Sequence, residues 1–255
     1  MRKTALITGA SSGIGHEFAE QLAQMGYNLV VVARRENLLL DLARKHTDVK
    51  VTVYPKDLTS DNAVEDLFKF ISEKYIPISL LINNAGFGDY ERFDQADIGK
   101  LQNMIDLNIK VLTDLTYYFG QQMIRRKEGY ILNVASTAAF QPGPMMAVYF
   151  ATKSYVLSFS EALAYEWKSE GVIVSALCPG PTESEFFDHA EMKDSKMMKT
   201  IKLPSSKEVA EFGLKQLFSK NTVAVHGFFN KLLVFVGRFA PRVVLTAMTA
   251  KALQK

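Results

Sequence analysis

Apolar positions fall along the chain in two alternating kinds of pattern. Short β-branched runs occur at Ala5-Leu6-Ile7, Leu29-Val30-Val31-Val32, Val49-Lys50-Val51-Thr52-Val53, Leu80-Leu81-Ile82, Tyr130-Ile131-Leu132-Asn133-Val134 and Val172-Ile173-Val174-Ser175-Ala176-Leu177. Most are apolar throughout rather than at every second residue, as in strands covered on both faces of a parallel sheet. Between them, amphipathic stretches of helical period lie at about residues 13–25, 36–46, 60–74, 97–126 and 149–169. Alternation without a linker predicts one α/β domain over 1–255, a doubly wound parallel sheet with helices on both faces. Two regions break the rhythm. Residues 180–206 are polar and Met-rich and follow a strand, which makes them a candidate substrate lid. Residues 227–255 read as two amphipathic helices separated by Pro241-Arg242.

Composition adds exclusions. With 255 residues, 48% of them apolar and 22% charged, the chain has an ordinary globular make-up and needs no staple. The single Cys178 excludes an internal disulfide framework, points to a reducing compartment and reads most simply as a small buried apolar residue. His16, His46, His189 and His226 are scattered, so no metal site is expected. Met1-Arg2-Lys3 runs straight into the first strand, and no uncharged stretch reaches the roughly 18 residues that span a bilayer. The expected location is cytoplasmic. The net charge of +3 is unevenly placed: no acidic residue follows Glu211, whereas Lys215, Lys220, Lys231, Arg238, Arg242, Lys251 and Lys255 do. Mild basicity without a recognition motif does not favour nucleic acid.

Candidate chemistry begins where the first strand ends, in Thr8-Gly9-Ala10-Ser11-Ser12-Gly13-Ile14-Gly15 before a helix. Glycines permit a tight turn and close ligand approach, and the helix N-terminus favours phosphate. The plainer reading is a turn with N-cap serines; the placement between strand one and a helix favours a dinucleotide. The second strand ends in Ala33-Arg34-Arg35 with no acidic residue at its end. An acid there meets a ribose 2′-hydroxyl, whereas arginine meets a 2′-phosphate. NADP(H) is therefore expected before NAD(H), with Arg34 the first contact and Arg35 the second, against the alternative of two solvated arginines.

Tyr149 and Lys153 stand at i and i+4, on one helix face. A phenol near pKa 10 is a poor acid or base at neutral pH, and a nearby ammonium would lower it toward the working range. Such pairs also arise by chance. Ser136 follows a strand and would sit at its carboxyl end, where ligands bind in this fold class; alone it reads equally as an N-cap.

Taken together, Thr8 to Gly15, Asn83-Asn84-Ala85-Gly86, Asn108, Ser136, Tyr149, Lys153 and Pro179-Gly180 resemble the short-chain dehydrogenase/reductase family, from about residue 3 to residue 187. The resemblance implies a Rossmann-like sheet of about seven strands and an oxidoreductase moving hydride between a nicotinamide and a carbonyl or secondary alcohol. It implies that Tyr149 is the general acid or base, Lys153 its pKa partner and a ribose ligand, and Ser136 a donor to the substrate oxygen. Asn108 would hold a water relaying protons from Lys153. By the same resemblance Gly9, Ser11, Ser12, Gly13, Ile14 and Gly15 cradle the pyrophosphate. Asp57 and Leu58 would meet the adenine, Asn83, Ala85 and Gly86 would stabilise the sheet and flank the adenine ribose, and Pro179, Gly180 and Thr182 would reach the nicotinamide. A homodimer or homotetramer through the helices at 97–126 and 149–169 is also implied.

The tail departs from the family pattern. Thr222-Val223-Ala224-Val225-His226 is the candidate for the family's seventh strand, and the long basic apolar stretch after it is similar to that of a DltE-like branch often linked to lipid ketoreduction. It would pack across the pocket or a partner subunit, lie on an anionic membrane surface as a peripheral contact, or form a core element with solvated charges. Phe87, Phe140, Met145, Met146, Phe186 and Phe187 lie in loops at the strands' carboxyl ends and suggest a lipophilic small-molecule substrate, unless they merely seal those loops. Two other activities stay open: reduction of a 3-oxoacyl thioester on acyl carrier protein or CoA, and a non-catalytic NADP(H) sensor or scaffold.

Overall fold

The computed structural model describes residues 2–183 and 203–253. Its strands are β1 (Thr4–Thr8), β2 (Asn28–Ala33), β3 (Val51–Pro55), β4 (Ile78–Asn83), β5 (Gly129–Val134), β6 (Val172–Cys178) and β7 (Val223–Val225). They form one sheet in the order β3-β2-β1-β4-β5-β6-β7, with every pair parallel. This is the doubly wound, Rossmann-like architecture expected of the alternating pattern.

Helices α1 (Gly13–Gln24), α2 (Glu36–Lys45), α3 (Ala63–Glu73), α4 (Ile98–Ile105), α5 (Leu112–Arg126) and α6 (Ala147–Glu166) supply the crossovers. After β6 come α7 (Ser206–Phe218) and, beyond β7, α8 (Phe228–Gly237) and α9 (Arg242–Ala252). Alternate side chains of each strand serve opposite faces. Ala5, Ile7, Val31 and Ile82 pack with Phe18 and Leu22 of α1 and Leu214 of α7. Leu6, Val30, Leu81 and Ile131 pack with Leu67 of α3 and with Phe119 and Met123 of α5. Both layers are dry, which is why the strands read as continuous apolar runs.

Three details differ from the pattern on the sequence. The helix expected from residue 60 begins at Ala63, because Asn62 takes a left-handed conformation (φ 56°, ψ 15°) and breaks the turn before it. The stretch 97–126 is two α-helices joined by a π-helical turn, Asp106–Val111. Helix α7 lies where the lid was expected to end; Ser205 caps it and Glu208 returns the bond to the Ser205 backbone. Of the lid, residues 184–202 lie outside the described residues, Phe186 and Phe187 among them; its flanks meet where Glu183 bridges Ser205.

Candidate active site

The sheet order reverses between β1 and β4, so their carboxyl ends diverge and leave a crevice. A cavity of about 650 Å³ occupies it. At one end the chain leaves β1 through Gly9 and Gly13, whose φ angles are +67° and +55°. A Cβ on Gly9 would stand 2.8 Å from Asn84 Nδ2 and 3.0 Å from the Ala85 Cα, so a side chain is excluded on both counts. Ser12 caps α1 without a side-chain bond, and the first N–H groups of the helix have no partner within it. Ser11, Ser12, Gly13 and Ile14 all line the cavity, which therefore meets the positive end of α1.

Two cations border that end. Arg35 donates from Nη2 to Ser12 Oγ at 2.6 Å and to Ser11 Oγ at 3.2 Å, which sets its guanidinium on the glycine turn. Arg34 lies nearer Asp57. Burial works against ionising Asp57, but bonds from the backbone and hydroxyl of Thr59 and the charge of Arg34 outweigh it and hold the carboxyl below its usual range. Arg34, Arg35, Asp57 and Leu58 line the cavity. A turn opened by Gly9 and Gly13, orphan N–H groups and a pair of cations fit the phosphates of a dinucleotide.

At the other end Ser136, Tyr149 and Lys153 line the same cavity and are buried. Ser136 follows β5, and its Oγ accepts from Ala138 N at 3.1 Å while facing the Tyr149 hydroxyl. Tyr149 and Lys153 share a face of α6, with Lys153 Nζ 5.8 Å from the phenol ring centroid. Lys153 Nζ donates to the carbonyl of Val134 at 2.8 Å. Burial pushes the Tyr149 phenol up to about 12, with the Ser136 hydrogen bond opposing it. Burial likewise brings Lys153 down to about 8. The expected depression of the phenol by the ammonium is not found: burial raises it, and the group that lowers it is Ser136.

Ala85, Gly86, Pro179, Gly180 and Thr182 also line the cavity. Three expected site residues do not. Gly15 stands behind the turn, where a Cβ would run into the Gly9 carbonyl and Asn84. Asn83 is buried in a polar ladder, donating to Thr116 Oγ1 and Asn133 Oδ1 at 2.9 Å each, while Asn133 donates to Ser160. It ties β4 to α5 and β5; the next residue, Asn84, points to the opposite face and lines the cavity, donating to the carbonyls of Thr8 and Gly9. The Asn108 amide is engaged with both main-chain groups of Phe87 and with Thr152. It positions the loop beside Lys153.

Among the expected apolar residues, Phe87 and Met146 line the cavity. Phe140 turns instead into a cluster with Val156, Val225 and Val234, and Met145 leaves the cavity with a φ of +68°. Phe150, Leu107 and, from the tail, Thr249, Ala252 and Leu253 complete the apolar end. The Tyr90 hydroxyl donates to the Leu253 carbonyl at 2.6 Å, fastening the end of α9 across the pocket. Their remoteness in sequence hides these tail contacts.

Residues 3–195 match the short chain dehydrogenase family. A short-chain dehydrogenase from Sphingobium yanoikuyae in complex with NADPH superimposes with a TM-score of 0.83 at 30% identity, over 93% of this chain and 94% of that one. A bulky-bulky ketone specific alcohol dehydrogenase from Comamonas testosteroni gives 0.79 at 30% identity, over 93% and 92%. The very-long-chain 3-oxoacyl-CoA reductase-B of Danio rerio is 34% identical over 183 residues, 69% of this chain and 58% of its own length. With a glycine turn under one end of the cavity, a serine, tyrosine and lysine at the other and this match over most of its length, the chain belongs to the short-chain dehydrogenase/reductase family of nicotinamide-dependent oxidoreductases.

Proposed function

We propose that this protein is an NADP(H)-dependent carbonyl reductase acting on a lipophilic ketone. The observation that carries the reading is the meeting of Ser136, Tyr149 and Lys153 on one cavity wall, opposite the phosphate-binding turn. A bound nicotinamide supplies the hydride, or accepts it in reverse. Tyr149, with its pKa pushed up to about 12, is protonated at neutral pH and is a proton donor there. The Ser136 and Tyr149 hydroxyls are hydrogen-bonded neighbours at the cavity wall, and a substrate carbonyl oxygen beside them would accept from both. As negative charge develops on that oxygen, Tyr149 passes its proton, and the Lys153 ammonium stabilises the phenolate left behind. The Val134 carbonyl fixes where that ammonium stands.

Arg34 and Arg35, with no carboxylate at the end of β2, favour a cofactor bearing a 2′-phosphate. The NADPH complex of the Sphingobium relative supports the same choice. Phe87, Met146, Phe150 and Leu253 favour an apolar substrate. Similarity to a 3-oxoacyl-CoA reductase keeps acyl thioester reduction as a second reading. We also infer a homo-oligomer through α5 and α6, where Tyr117 and Tyr165 are exposed. A panel of ketones and 3-oxoacyl thioesters, run with NADPH and with NADH and followed by nicotinamide absorbance, tests the assignment. Turnover of bulky apolar ketones with NADPH is expected; turnover restricted to thioesters selects the second reading, and no turnover of either rejects both.

A further inference from the structure

Helix α8 has no buried residue, although most of its side chains are apolar. At 100° per residue, Phe228, Phe229, Leu232, Phe235, Val236 and Phe239 fall on one broad arc, and all six are exposed. Asn230, Val234 and Gly237 fall on the opposite side, which faces the body of the protein: Val234 packs with Phe140 and Val225, and Asn230 lies against Gly180. Leu245 of α9 packs back on Gly237, so α8 and α9 form a hairpin. On α9, Val243 and Met248 add to the exposed apolar area. Contiguous apolar surface of this kind on a protein is a docking site.

Charge identifies the occupant. Lys231 and Arg238 lie seven residues apart on one flank of α8, exposed, and Arg242 and Lys251 follow on α9. No acidic residue occurs after Glu211. A second copy meeting this face about a two-fold axis would bring cations together with no carboxylate from the hairpin to pair them. A bilayer with anionic headgroups answers both the apolar arc and the cations. The hairpin cannot cross it, since no helix among the described residues is long and apolar enough; α8 at about 15 Å spans half the hydrocarbon core. We propose that the α8–α9 hairpin lies in the interface of an anionic membrane, with the phenylalanines inserted and Arg238 and Arg242 at headgroup level, while the Lys231 ammonium packs over Phe212.

The inner side of the same hairpin forms a pocket wall through Thr249, Ala252 and Leu253. Docking therefore sets the substrate pocket against the bilayer, and a ketone dissolved in the lipid reaches it beside α9. This second step rests on the carbonyl-reductase reading, whereas docking does not.

Flotation of the full-length protein with phosphatidylglycerol-containing vesicles, and with phosphatidylcholine vesicles alone, measures docking without turnover, so either idea can fail separately. The protein is expected to float with the anionic vesicles and much less with the neutral ones. Arg238→Gln and Arg242→Gln should each weaken binding about fivefold, and raised salt should do the same. The triple variant Phe229→Ser, Phe235→Ser, Phe239→Ser should lose flotation while still reducing a water-soluble ketone. Wild-type protein that stays unfloated with anionic vesicles overturns the proposal, as do variants that float as well as wild type. A serine variant that only breaks up an oligomer, with no change in lipid binding, assigns the face to a second copy. The two exposed arginine variants decide the matter if the serine variant does not fold.

Discussion

Lys153 Nζ donates to the main-chain carbonyl of Val134 at 2.8 Å, joining the middle of α6 to the last residue of β5. Because Ser136 follows that strand end and Tyr149 precedes Lys153 by one helical turn, this bond fixes the spacing of all three groups at the pocket wall. It holds an ammonium in a buried place, and burial lowers its pKa to about 8.

That burial has a cost that can be measured. Between pH 8 and the ordinary lysine value of 10.5, the unfolded chain holds this proton and the folded chain does not, so this group makes stability rise with pH across that window. Below pH 8 both states are protonated and the full penalty applies, about 3 kcal/mol. Lys153→Met removes the penalty and also loses the bond to Val134, worth about 1 kcal/mol. The variant should be more stable than wild type at pH 7 by ~2 kcal/mol, with the gain shrinking as pH rises above 8. Urea unfolding at several pH values checks this. Reductase activity of wild type should fall above pH 8 as the ammonium is lost; a pH-independent gain would place the buried charge elsewhere.

Tyr149→Phe removes one hydroxyl and leaves Ser136 bonded to Ala138. Turnover should fall by about 10²- to 10⁴-fold, with NADPH affinity unchanged. Single-turnover kinetics and fluorescence titration separate the two effects. Activity retained in the variant would remove the proton-donor assignment.

Arg35 bonds to Ser11 and Ser12, and Arg34 sits toward Asp57, so both guanidinium groups can meet a 2′-phosphate from neighbouring sides. Replacing either with alanine should weaken NADPH binding by about tenfold or more, the worth of one charge-assisted hydrogen bond, and alter NADH binding little. Arg34→Glu should act more strongly in the same direction. Equal weakening of both cofactors would mean that these cations serve the pyrophosphate or the turn itself.

The sheet is legible in the sequence because its strands are buried on both faces, and an unbroken run such as Leu29-Val30-Val31-Val32 has few other solutions. The glycine turn and the Tyr149–Lys153 pair are legible because their chemistry is local, within one turn or one helix face. What depends on the side from which a residue is seen is harder: Asn83 and Asn84 are indistinguishable in composition, and only strand alternation sends one into the ladder with Thr116 and Asn133 and the other to the cavity. The π turn at Asn108 leaves no mark in the apolar period. The capping box of Ser205 and Glu208, by contrast, is written in the sequence and marks the start of α7 within the expected lid. The balance between burial and the Ser136 hydrogen bond at Tyr149 needs the packed surroundings of both groups, which residue spacing does not contain.

The tail's hold on the pocket can be tested at one atom. Tyr90 and Leu253 are far apart in sequence and both buried, and the Tyr90 hydroxyl satisfies the Leu253 carbonyl at the end of α9. Tyr90→Phe leaves that carbonyl without its donor, at a local cost of about 1–3 kcal/mol, and loosens the wall formed by Thr249, Ala252 and Leu253. Because those residues line the apolar end of the pocket and carry no catalytic group, the loss should fall on binding of the substrate's bulk. KM for a bulky apolar ketone should rise about fivefold to tenfold with kcat maintained, and KM for a small water-soluble ketone should hold steady. The melting temperature should drop by a few degrees. If KM rises equally for both ketones, the variant has disturbed the whole cavity and α9 is not the wall that reads substrate size. If it rises only for the bulky one, the tail is the element that selects the substrate.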